Sequence, residues 1–329
     1  MFRRLPIVLR GSQSRGYTLP GVATHLRCVP CIFAFLLLTS SCCQRSASSE
    51  SQFRTSGDEF SVMTYNLKRY CYDDRDRDGQ ENDPKPEEEV RAAVELIART
   101  RPDVLAIQEM GAPDLFKDFH ARLAAKGLSY PHTELIPGSA TNLNNAVLSR
   151  FAFASKQSIT NDEYTIGDWV IPVRRGYISV DVQVNPSYRF RLMVAHLKSK
   201  VYHPAGQTEM RRNEARLLNK HVRKGLEENP DLNLLVAGDL NDTIDSAALR
   251  EVLGSPRKLF DLRPKDSVGD VWSHFWAKQE MYERLDYLLV SAGMKPEVVW
   301  TKNHIVRDPL TYTASDHRPV VGVFKAKDL

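Results

Sequence analysis

A set of polar side chains lies at or beside the ends of runs that predict β-strands. They are Asn66, Glu109, His196, Asp239, Asn241, Asp286, Asp316 and His317. Carboxylates are hard oxygen ligands suited to Mg²⁺ or Mn²⁺, and histidines and carboxylates are common proton-transfer groups in enzymes. Polar residues at strand ends are also where α/β enzymes usually place their sites. The residue types therefore indicate a metal-binding or proton-transferring site.

Seven of these side chains, taken alone, have an ordinary structural explanation that is the commoner one. The explanations are a turn cap for Asn66, a solvated helix-start carboxylate for Glu109, an Asx turn for Asp239 with Asn241, a surface pair with Arg284 for Asp286, and core positions for His196 and His317. Only the complete set argues for chemistry.

The elements that must position these residues follow from the pattern of apolar side chains. Apolar runs predict strands at 60–66, 104–107, 145–148, 177–184, 189–196, 234–237, 271–276, 285–290 and 320–324. Helices are predicted from Pro86 to the residue before Pro102, over 113–126 and over 208–227. Strands outnumber helices, and their order is not a regular βαβα alternation. The pattern favours mixed sheets packed together with helices outside.

The first 43 residues are predicted to be a targeting signal. A basic stretch without acidic residues precedes an apolar run, Cys31 to Leu38, and then small residues. The run is shorter than the roughly 20 residues of a transmembrane helix. Two interpretations stay open, a plain secretory signal and a lipoprotein signal that places a lipid on Cys42. Both predict an exported protein, either periplasmic or extracellular or attached to a membrane through that lipid.

Residues 44–57 are predicted to be a flexible linker, and residues 58–329 a domain that is nearly neutral. The five arginines of the predicted signal account for the formal net charge of +4. No global basic field therefore draws the domain onto nucleic acid or anionic membranes, and only a local basic patch stays possible. Because Cys71 is the one cysteine of 58–329, no disulfide is expected within the domain.

Taken together, the polar segments resemble the endonuclease/exonuclease/phosphatase superfamily, whose fold is called DNase I-like. The matching segments are Thr64-Tyr65-Asn66-Leu67, Ala106-Ile107-Gln108-Glu109, Asn145-Ala146-Val147-Leu148-Ser149-Arg150, Ala195-His196-Leu197-Lys198, Ala237-Gly238-Asp239-Leu240-Asn241-Asp242, Arg284-Leu285-Asp286-Tyr287 and Ser315-Asp316-His317-Arg318-Pro319. The resemblance runs from about residue 60 to the C-terminus. It implies an α/β (α+β) fold, a four-layer sandwich of two mixed β-sheets with helices on the outside.

The resemblance also implies a metal-dependent hydrolase of phosphate esters. Such a reaction needs neutralised charge on the phosphoryl oxygens, an oriented water and help for the leaving group. Glu109 would be the principal ligand of Mg²⁺ or Mn²⁺, and Asn66 and Asp316 would complete the site directly or through water. Asp239 would orient or deprotonate the attacking water and would be held in place by Asn241. His317 would contact a phosphoryl oxygen or accept the proton, and Asp286 would orient it. His196 would donate a hydrogen bond to the phosphoryl oxygens. Whether Asp239 or His317 is the base stays open.

Two further sets of residues have weaker patterns. Arg175 and Lys198 lie where a phosphate contact is plausible, and for Arg175 a solvated surface position is an equal alternative. Asp74, Asp76 and Asp78 resemble the opening of a calcium loop, but Lys85 stands where an EF-hand has its final glutamate. An acidic solvated loop is the favoured interpretation, with a second site for Ca²⁺ as the alternative.

The leading functional hypothesis is a phosphodiesterase that acts on nucleic acid, a nuclease. The segment from His196 to Lys200 and the pattern around Glu214 resemble the nuclease-like bacterial branch, whereas the near-neutral domain counts mildly against it. Hydrolysis of phospholipid or sphingomyelin head groups is the runner-up, and inositol-polyphosphate hydrolysis is third. No exposed aromatic hairpin is expected, because Trp272, Trp276 and Tyr282 fall in predicted strands. A non-catalytic binding protein is disfavoured since no core residue is lost, and no protein partner is evident.

Overall fold

The structure, a computed structural model, describes residues 57–139 and 142–329. The predicted signal, the lipid on Cys42 and the linker up to residue 56 lie outside these residues. The strands are β1 (Glu59–Tyr70), β2 (Val104–Met110), β3 (His132–Ile136), β4 (Asn144–Ser149), β5 (Ala152–Lys156), β6 (Glu163–Ile166), β7 (Trp169–Pro172), β8 (Tyr177–Asn185), β9 (Tyr188–His196), β10 (Leu234–Asp239), β11 (Phe260–Asp261), β12 (His274–Trp276), β13 (Met281–Glu283), β14 (Asp286–Val290), β15 (His304–Ile305) and β16 (Val320–Lys325). The α-helices are α1 (Glu87–Thr100), α2 (Pro113–Ala125), α3 (Gln207–Glu228), α4 (Ala247–Leu253) and α5 (Thr311–Ala314). Among the residues described, no helix combines the length and apolar character needed to cross a membrane.

Two six-stranded sheets form the centre of the fold. The first has the order β15-β16-β1-β2-β4-β3 and the second the order β11-β14-β10-β9-β8-β5. Each sheet is mixed, because β1 with β2 and β9 with β10 are parallel while β1 with β16 and β10 with β14 are antiparallel. Two hairpins, β6–β7 and β12–β13, form separate two-stranded sheets. The predicted mixed sheets are confirmed.

Alternate residues of a strand enter different layers of the fold, as the pleat requires. On β1, Phe60 and Val62 belong to the apolar cluster between the two sheets, whereas Met63 belongs to the cluster beneath α1 and α2. Phe60 stacks on Phe190 of β9 with ring centroids 5.0 Å apart, which joins the two sheets. A third cluster joins β9 and β10 to α3 and α4. The layers are therefore the four-layer sandwich that the resemblance implies.

Some strand bounds differ from the prediction near the polar residues. β1 continues to Tyr70 and β2 to Met110, with a register shift after Asn66. Such an irregularity bends the strand and re-aims its side chains. The predicted strand at 271–276 was too long, since only His274–Trp276 is extended and paired there. The parallel pairs place the carboxyl ends of β1, β2, β9 and β10 at one edge of the sandwich.

Candidate active site

The two sheets meet at this edge through the side chain of Asn66. Its Nδ2 donates to Oδ2 of Asp239 at 3.0 Å and approaches Oε1 of Glu109 at 3.3 Å. Asn66 and Asp239 are almost fully buried. The end of β1 therefore contacts the ends of both β2 and β10, and the sequence-predicted residues of the two sheets come together.

Rare backbone conformations accompany these side chains. Glu109 has a φ of 64° and Asn241 a φ of 54°, in the left-handed region that non-glycine residues seldom adopt. The backbone amide of Arg69 donates to Oε2 of Glu109 at 2.6 Å and fixes the carboxylate. Gly238 has a φ of 143°, and a Cβ there would lie 1.9 Å from the carbonyl oxygen of Ala195. Glycine is thus required where β10 presents Asp239.

Asp239 lies between two imidazoles. Its Oδ2 is 3.5 Å from Nε2 of His196 and 3.7 Å from Nε2 of His317. Its Oδ1 accepts the backbone N–H of Asn241 at 2.8 Å, and the Asn241 side chain donates to the carbonyl oxygen of Leu197 at 3.0 Å. The carboxylate is therefore held by hydrogen bonds in a position where both histidines face it.

His317 and Asp286 form a carboxylate–imidazole pair. Nδ1 of His317 is 2.8 Å from Oδ2 of Asp286. The same carboxylate oxygen accepts the hydroxyl of Ser273 at 2.7 Å, and that hydroxyl oxygen accepts the backbone N–H of Asp286 at 3.0 Å. Ser315 holds the other side, because its hydroxyl donates to the carbonyl oxygen of Asn66 and accepts the N–H of His317.

Burial and neighbouring charges set the two histidines apart. Burial opposes a charge on His317, but the carboxylates of Asp286 and Asp239 outweigh it and raise the pKa to about 10. Burial, reinforced by the charge of Arg175, lowers the pKa of His196 well below its usual value. Burial raises the pKa of Asp239 above that of an exposed carboxyl. At neutral pH His317 is a cation and His196 is neutral.

The carboxylates of the site have no cationic side chain of lysine or arginine as a partner. Within the described ranges, no lysine or arginine forms an ion pair with Glu109, Asp239, Asp286 or Asp316. Two other buried carboxylates, Asp103 and Asp266, do have such a partner. Hard oxygen donors with excess negative charge are the donor set that a divalent cation prefers. The residues therefore fit a divalent metal.

Two different groups of residues could hold that metal. The ligand atoms of Asp239, Asp286 and His317 lie within 4.8 Å of one another. A cationic imidazole has no lone pair for a metal, and both nitrogens of His317 face carboxylates, so this trio is better described as a proton-transfer group. Glu109 with Asn66 is the alternative. In this structure the Asn66 nitrogen faces Glu109 and its oxygen accepts the N–H of Lys68 at 2.9 Å, so Asn66 would turn its amide to bind the metal directly. Asp316 is half-buried, and its backbone oxygen accepts the N–H of Phe275 at 2.9 Å.

Arg175 and Lys198 lie beneath the site rather than projecting into it. Arg175 is buried, and its guanidinium donates to the carbonyl oxygen of Leu197 at 3.0 Å. The Lys198 amine donates to the carbonyl oxygens of Ser199 and Val201 at 3.0 and 2.8 Å. The solvated alternative for Arg175 was wrong, because the side chain is enclosed. Both cations stabilise the segment that carries His196.

Glu214 of α3 supports the same segment from behind. Its Oε2 accepts the backbone N–H of Lys198 at 2.6 Å, and burial raises its pKa to about 7. In the sequence analysis, Glu214 appears only as part of the pattern that resembles the nuclease-like branch. Ser273 was missed altogether, since its small hydroxyl is hidden in the aromatic run from Trp272 to Trp276.

The acidic loop differs from the predicted calcium loop. Oxygens of Asp74, Asp76 and Asp83 lie within 4.8 Å of one another, and Asp78 is not part of this group. Instead, Oδ1 of Asp78 accepts the N–H of Gln80 at 2.8 Å. Asp83 returns from the far side of the loop, where its backbone pairs with that of Asp73. The spacing of the aspartates in the sequence therefore did not show that Asp83 joins this group.

The expectation that no aromatic hairpin is exposed was wrong. β12 and β13 form a hairpin with Trp276 36% and Tyr282 54% exposed. Tyr282 stacks on Phe275 with ring centroids 4.5 Å apart.

The fold and this arrangement of carboxylates and imidazoles define a class of phosphoester hydrolase. The family model described as the Endonuclease/Exonuclease/phosphatase family matches residues 63–317, and the chain belongs to that family. No curated protein sequence matches the chain.

Several solved structures share the fold. A truncated TDP2 from Caenorhabditis elegans is 19% identical, with a TM-score of 0.56 over 82% of this chain and 99% of that one. An endonuclease/exonuclease/phosphatase from Beutenbergia cavernae is 20% identical, with a TM-score of 0.60 over 82% and 72%. Sphingomyelinase C from Streptomyces griseocarneus is 18% identical, with a TM-score of 0.55 over 81% and 99%. At these identities the likeness concerns the fold.

Proposed function

We propose that this protein is a divalent-metal-dependent phosphodiesterase that acts on nucleic acid. The observation that carries the proposal is a set of buried and half-buried carboxylates that have no lysine or arginine ion-pair partner among the described residues and that face one neutral and one cationic imidazole. A phosphodiester brings further negative charge into this site, which a bound cation together with His317 would balance. The metal would be Mg²⁺ or Mn²⁺, held by Glu109 and Asn66, with Asp316 as the third predicted ligand.

The two histidines and Asp239 have distinct roles in the proposed reaction. The carboxylates of Asp286 and Asp239 favour the protonated form of His317, and we therefore assign it the role of hydrogen-bond donor to a phosphoryl oxygen. Asp239 accepts the proton of the attacking water, since its raised proton affinity brings it closer to neutral pH. Nε2 of the neutral His196 lies beside Asp239. From there it would donate a hydrogen bond that stabilises the negative charge building on the phosphoryl oxygens. The bound metal would neutralise the phosphoryl oxygens and assist the leaving group.

Nucleic acid is favoured among diesters by the basic residues at the mouth of the site. Lys68 and Arg69 are exposed and lie two and three residues after Asn66. The Arg69 backbone contacts Glu109, and its guanidinium pairs with Asp73, so Lys68 is the basic group that is left for a substrate. Lysine and arginine beside a cleavage site attract a polyanion even when the whole domain is nearly neutral. A lipid head-group phosphodiesterase is the second candidate, which the exposed Trp276 and Tyr282 favour. A fold shared with a sphingomyelinase C is compatible with it.

The test compares substrates side by side with the purified protein in Mg²⁺, Mn²⁺, Ca²⁺ or EDTA. Single- and double-stranded DNA, RNA, sphingomyelin vesicles and an inositol polyphosphate are offered together. We expect metal-dependent cleavage of nucleic acid that Glu109→Gln abolishes. Glu227→Gln, which changes an exposed glutamate on α3, is the matched control and should retain activity. Cleavage of sphingomyelin alone would replace the proposal by the second candidate, and no metal-dependent turnover would overturn it.

A further inference from the structure

The hairpin β12–β13 has two faces of different character. His274 lies opposite Glu283, Phe275 opposite Tyr282, and Trp276 opposite Met281. Since side chains alternate across a strand, His274 and Trp276 share one face, and Phe275 is on the other. That other face packs on itself, because Tyr282 contacts Phe275 and also Trp272, with ring centroids 4.7 Å apart.

The face with His274 and Trp276 is turned toward the catalytic residues. The ring centroids of His274 and His317 are 4.6 Å apart. Glu283 on the same face forms an ion pair at 2.5 Å with Lys200, which follows the segment of His196. The hairpin is fixed in this orientation because Arg318 donates its backbone N–H to the carbonyl oxygen of Ser273 at 2.6 Å.

We propose that Trp276 and His274 form a stacking subsite for the nucleobase next to the scissile phosphate. This inference rests on the proposed function. His274 lies beside His317, and Trp276 stands about 6.6 Å further along the same face, the spacing of alternate residues in a strand. A nucleotide whose phosphate lies at His317 would thus meet these two flat rings with its base. Indole and imidazole surfaces bind bases of any sequence because every base has a π-face.

The polar groups of this face argue against a lipid as its occupant. Acyl chains laid on it would bury the ion pair of Glu283 with Lys200, at the cost of desolvating both charges. One oxygen of Glu283, Oε2, and Nδ1 of His274 are already enclosed without hydrogen-bond partners. A nucleotide has polar edges and hydroxyl groups, so it suits a face that mixes rings with charged groups. The self-packed face of Tyr282 is the outward one.

The test uses two esters with the same scissile bond, thymidine 5′-(p-nitrophenyl phosphate) and methyl p-nitrophenyl phosphate. Both release p-nitrophenolate, but only the first carries a base. Stacking contributes about 1–3 kcal/mol per base, so Trp276→Leu should lower kcat/KM for the thymidine ester roughly 5- to 150-fold. The methyl ester should change less than about 2-fold, and Trp276→Phe should keep most activity on both, because its ring still stacks.

Tyr282→Leu is the matched control, since it removes an exposed aromatic from the opposite face of the same hairpin. It should leave both esters nearly unchanged. Equal losses on the two esters with Trp276→Leu, or the same base-dependent loss with Tyr282→Leu, would overturn the subsite. Loss confined to sphingomyelin vesicles would overturn it and assign the hairpin to lipid. Hydrolysis of the methyl ester by the wild type reports on the proposed function separately.

Binding of thymidine 5′-phosphate by calorimetry needs no turnover and decides the subsite even if neither ester is cleaved. We expect Trp276→Leu to weaken this binding at least about 5-fold, as for one stacked base. Unchanged binding would overturn the subsite.

Discussion

Two buried aspartates, Asp266 and Asp239, differ in the groups that surround their carboxylates. Oδ2 of Asp266 accepts from the guanidiniums of Arg307 and Arg318 at 2.7 and 2.8 Å, and its Oδ1 accepts two backbone N–H groups. Burial opposes its charge, but these hydrogen bonds hold its pKa far below the usual range. Asp239 faces imidazoles and an amide instead, and burial raises its pKa.

The difference separates a structural carboxylate from the one that we propose to be catalytic. Asp266 is neutralised by its own chain and fixes Arg318, the residue after His317. Asp239 and its neighbours keep charge that the chain leaves unbalanced, which is unfavourable for the fold but available to a bound cation and its substrate. Strain and uncompensated charge of this kind accumulate at functional sites. We therefore expect replacement of Asp239 to lower activity and replacement of Asp266 to lower stability.

The largest expected effect is the loss of activity in Asp239→Asn. The amide cannot accept the proton of the attacking water, so kcat should fall about 10³-fold or more. Unfolding in denaturant should show that the variant stays folded, with a stability close to that of the wild type. A kcat within about 10-fold of the wild type would remove Asp239 from the base role.

The next effect is the loss of stability in Asp266→Asn. Arg318 would remain buried without its carboxylate, and removing one member of a buried pair costs about 3–5 kcal/mol. The free energy of unfolding is measured by denaturant titration, and kcat is measured on the protein that remains folded. The folded fraction should retain activity within a few-fold. Asp270→Asn is the control, because Asp270 is only half-buried and its side chain pairs with the exposed Arg307 rather than with the buried Arg318.

Metal binding should distinguish the two aspartates, because its stabilising effect should depend on the site around Glu109 and not on Asp266. At a Mg²⁺ concentration 100 times its Kd, the wild type should gain about 2.7 kcal/mol of unfolding free energy. Asp266→Asn should gain the same amount, since its site is unchanged, whereas Glu109→Gln should gain little. Thermal unfolding with Mg²⁺ and with EDTA measures these gains. Equal stabilisation of Glu109→Gln would place the metal elsewhere.

The smallest effect is the opposite pH dependence of the two aspartates in EDTA. Because the folded pKa of Asp266 is depressed, its contribution is present above the unfolded value of 3.8 and lost as the pH falls through the folded pKa. Asp239 has a raised folded pKa, so the wild type loses stability as the pH rises from its unfolded value of 3.8 to that raised value. The difference between Asp239→Asn and wild type should therefore move by about 1 kcal/mol or more in favour of the variant between about pH 4 and 8. A difference that does not change with pH would contradict the raised pKa.

The sequence predicted the two large sheets and most of the side chains that meet at their edge. Polar residues directly after apolar runs marked Asn66 and Asp239, and the helix expected at 208–227 is α3, Gln207–Glu228. These features are local, because a strand or helix and the residue that ends it are neighbours in the chain.

What escaped prediction depends on contacts between distant residues. Asp266 meets Arg318 across 52 positions. Ser273 and Asp286 belong to the two ends of a hairpin whose strands have only three residues each, too short for a pattern of alternation. Aromatic side chains on both faces made the segment look like one buried strand. The exposure of Trp276 and the serine beneath Asp286 therefore appeared only in three dimensions.

The place of β16 in the first sheet has a consequence for how the protein is made. This strand lies between β15 and β1, and Ser315, just before it, bonds to Asn66 across 249 positions. A ribosome adding about 5–20 residues per second needs roughly 10 to 50 seconds between these two points. Until then β1 lacks one of its two neighbouring strands and the site lacks His317, so a growing or prematurely ended chain does not carry the assembled site.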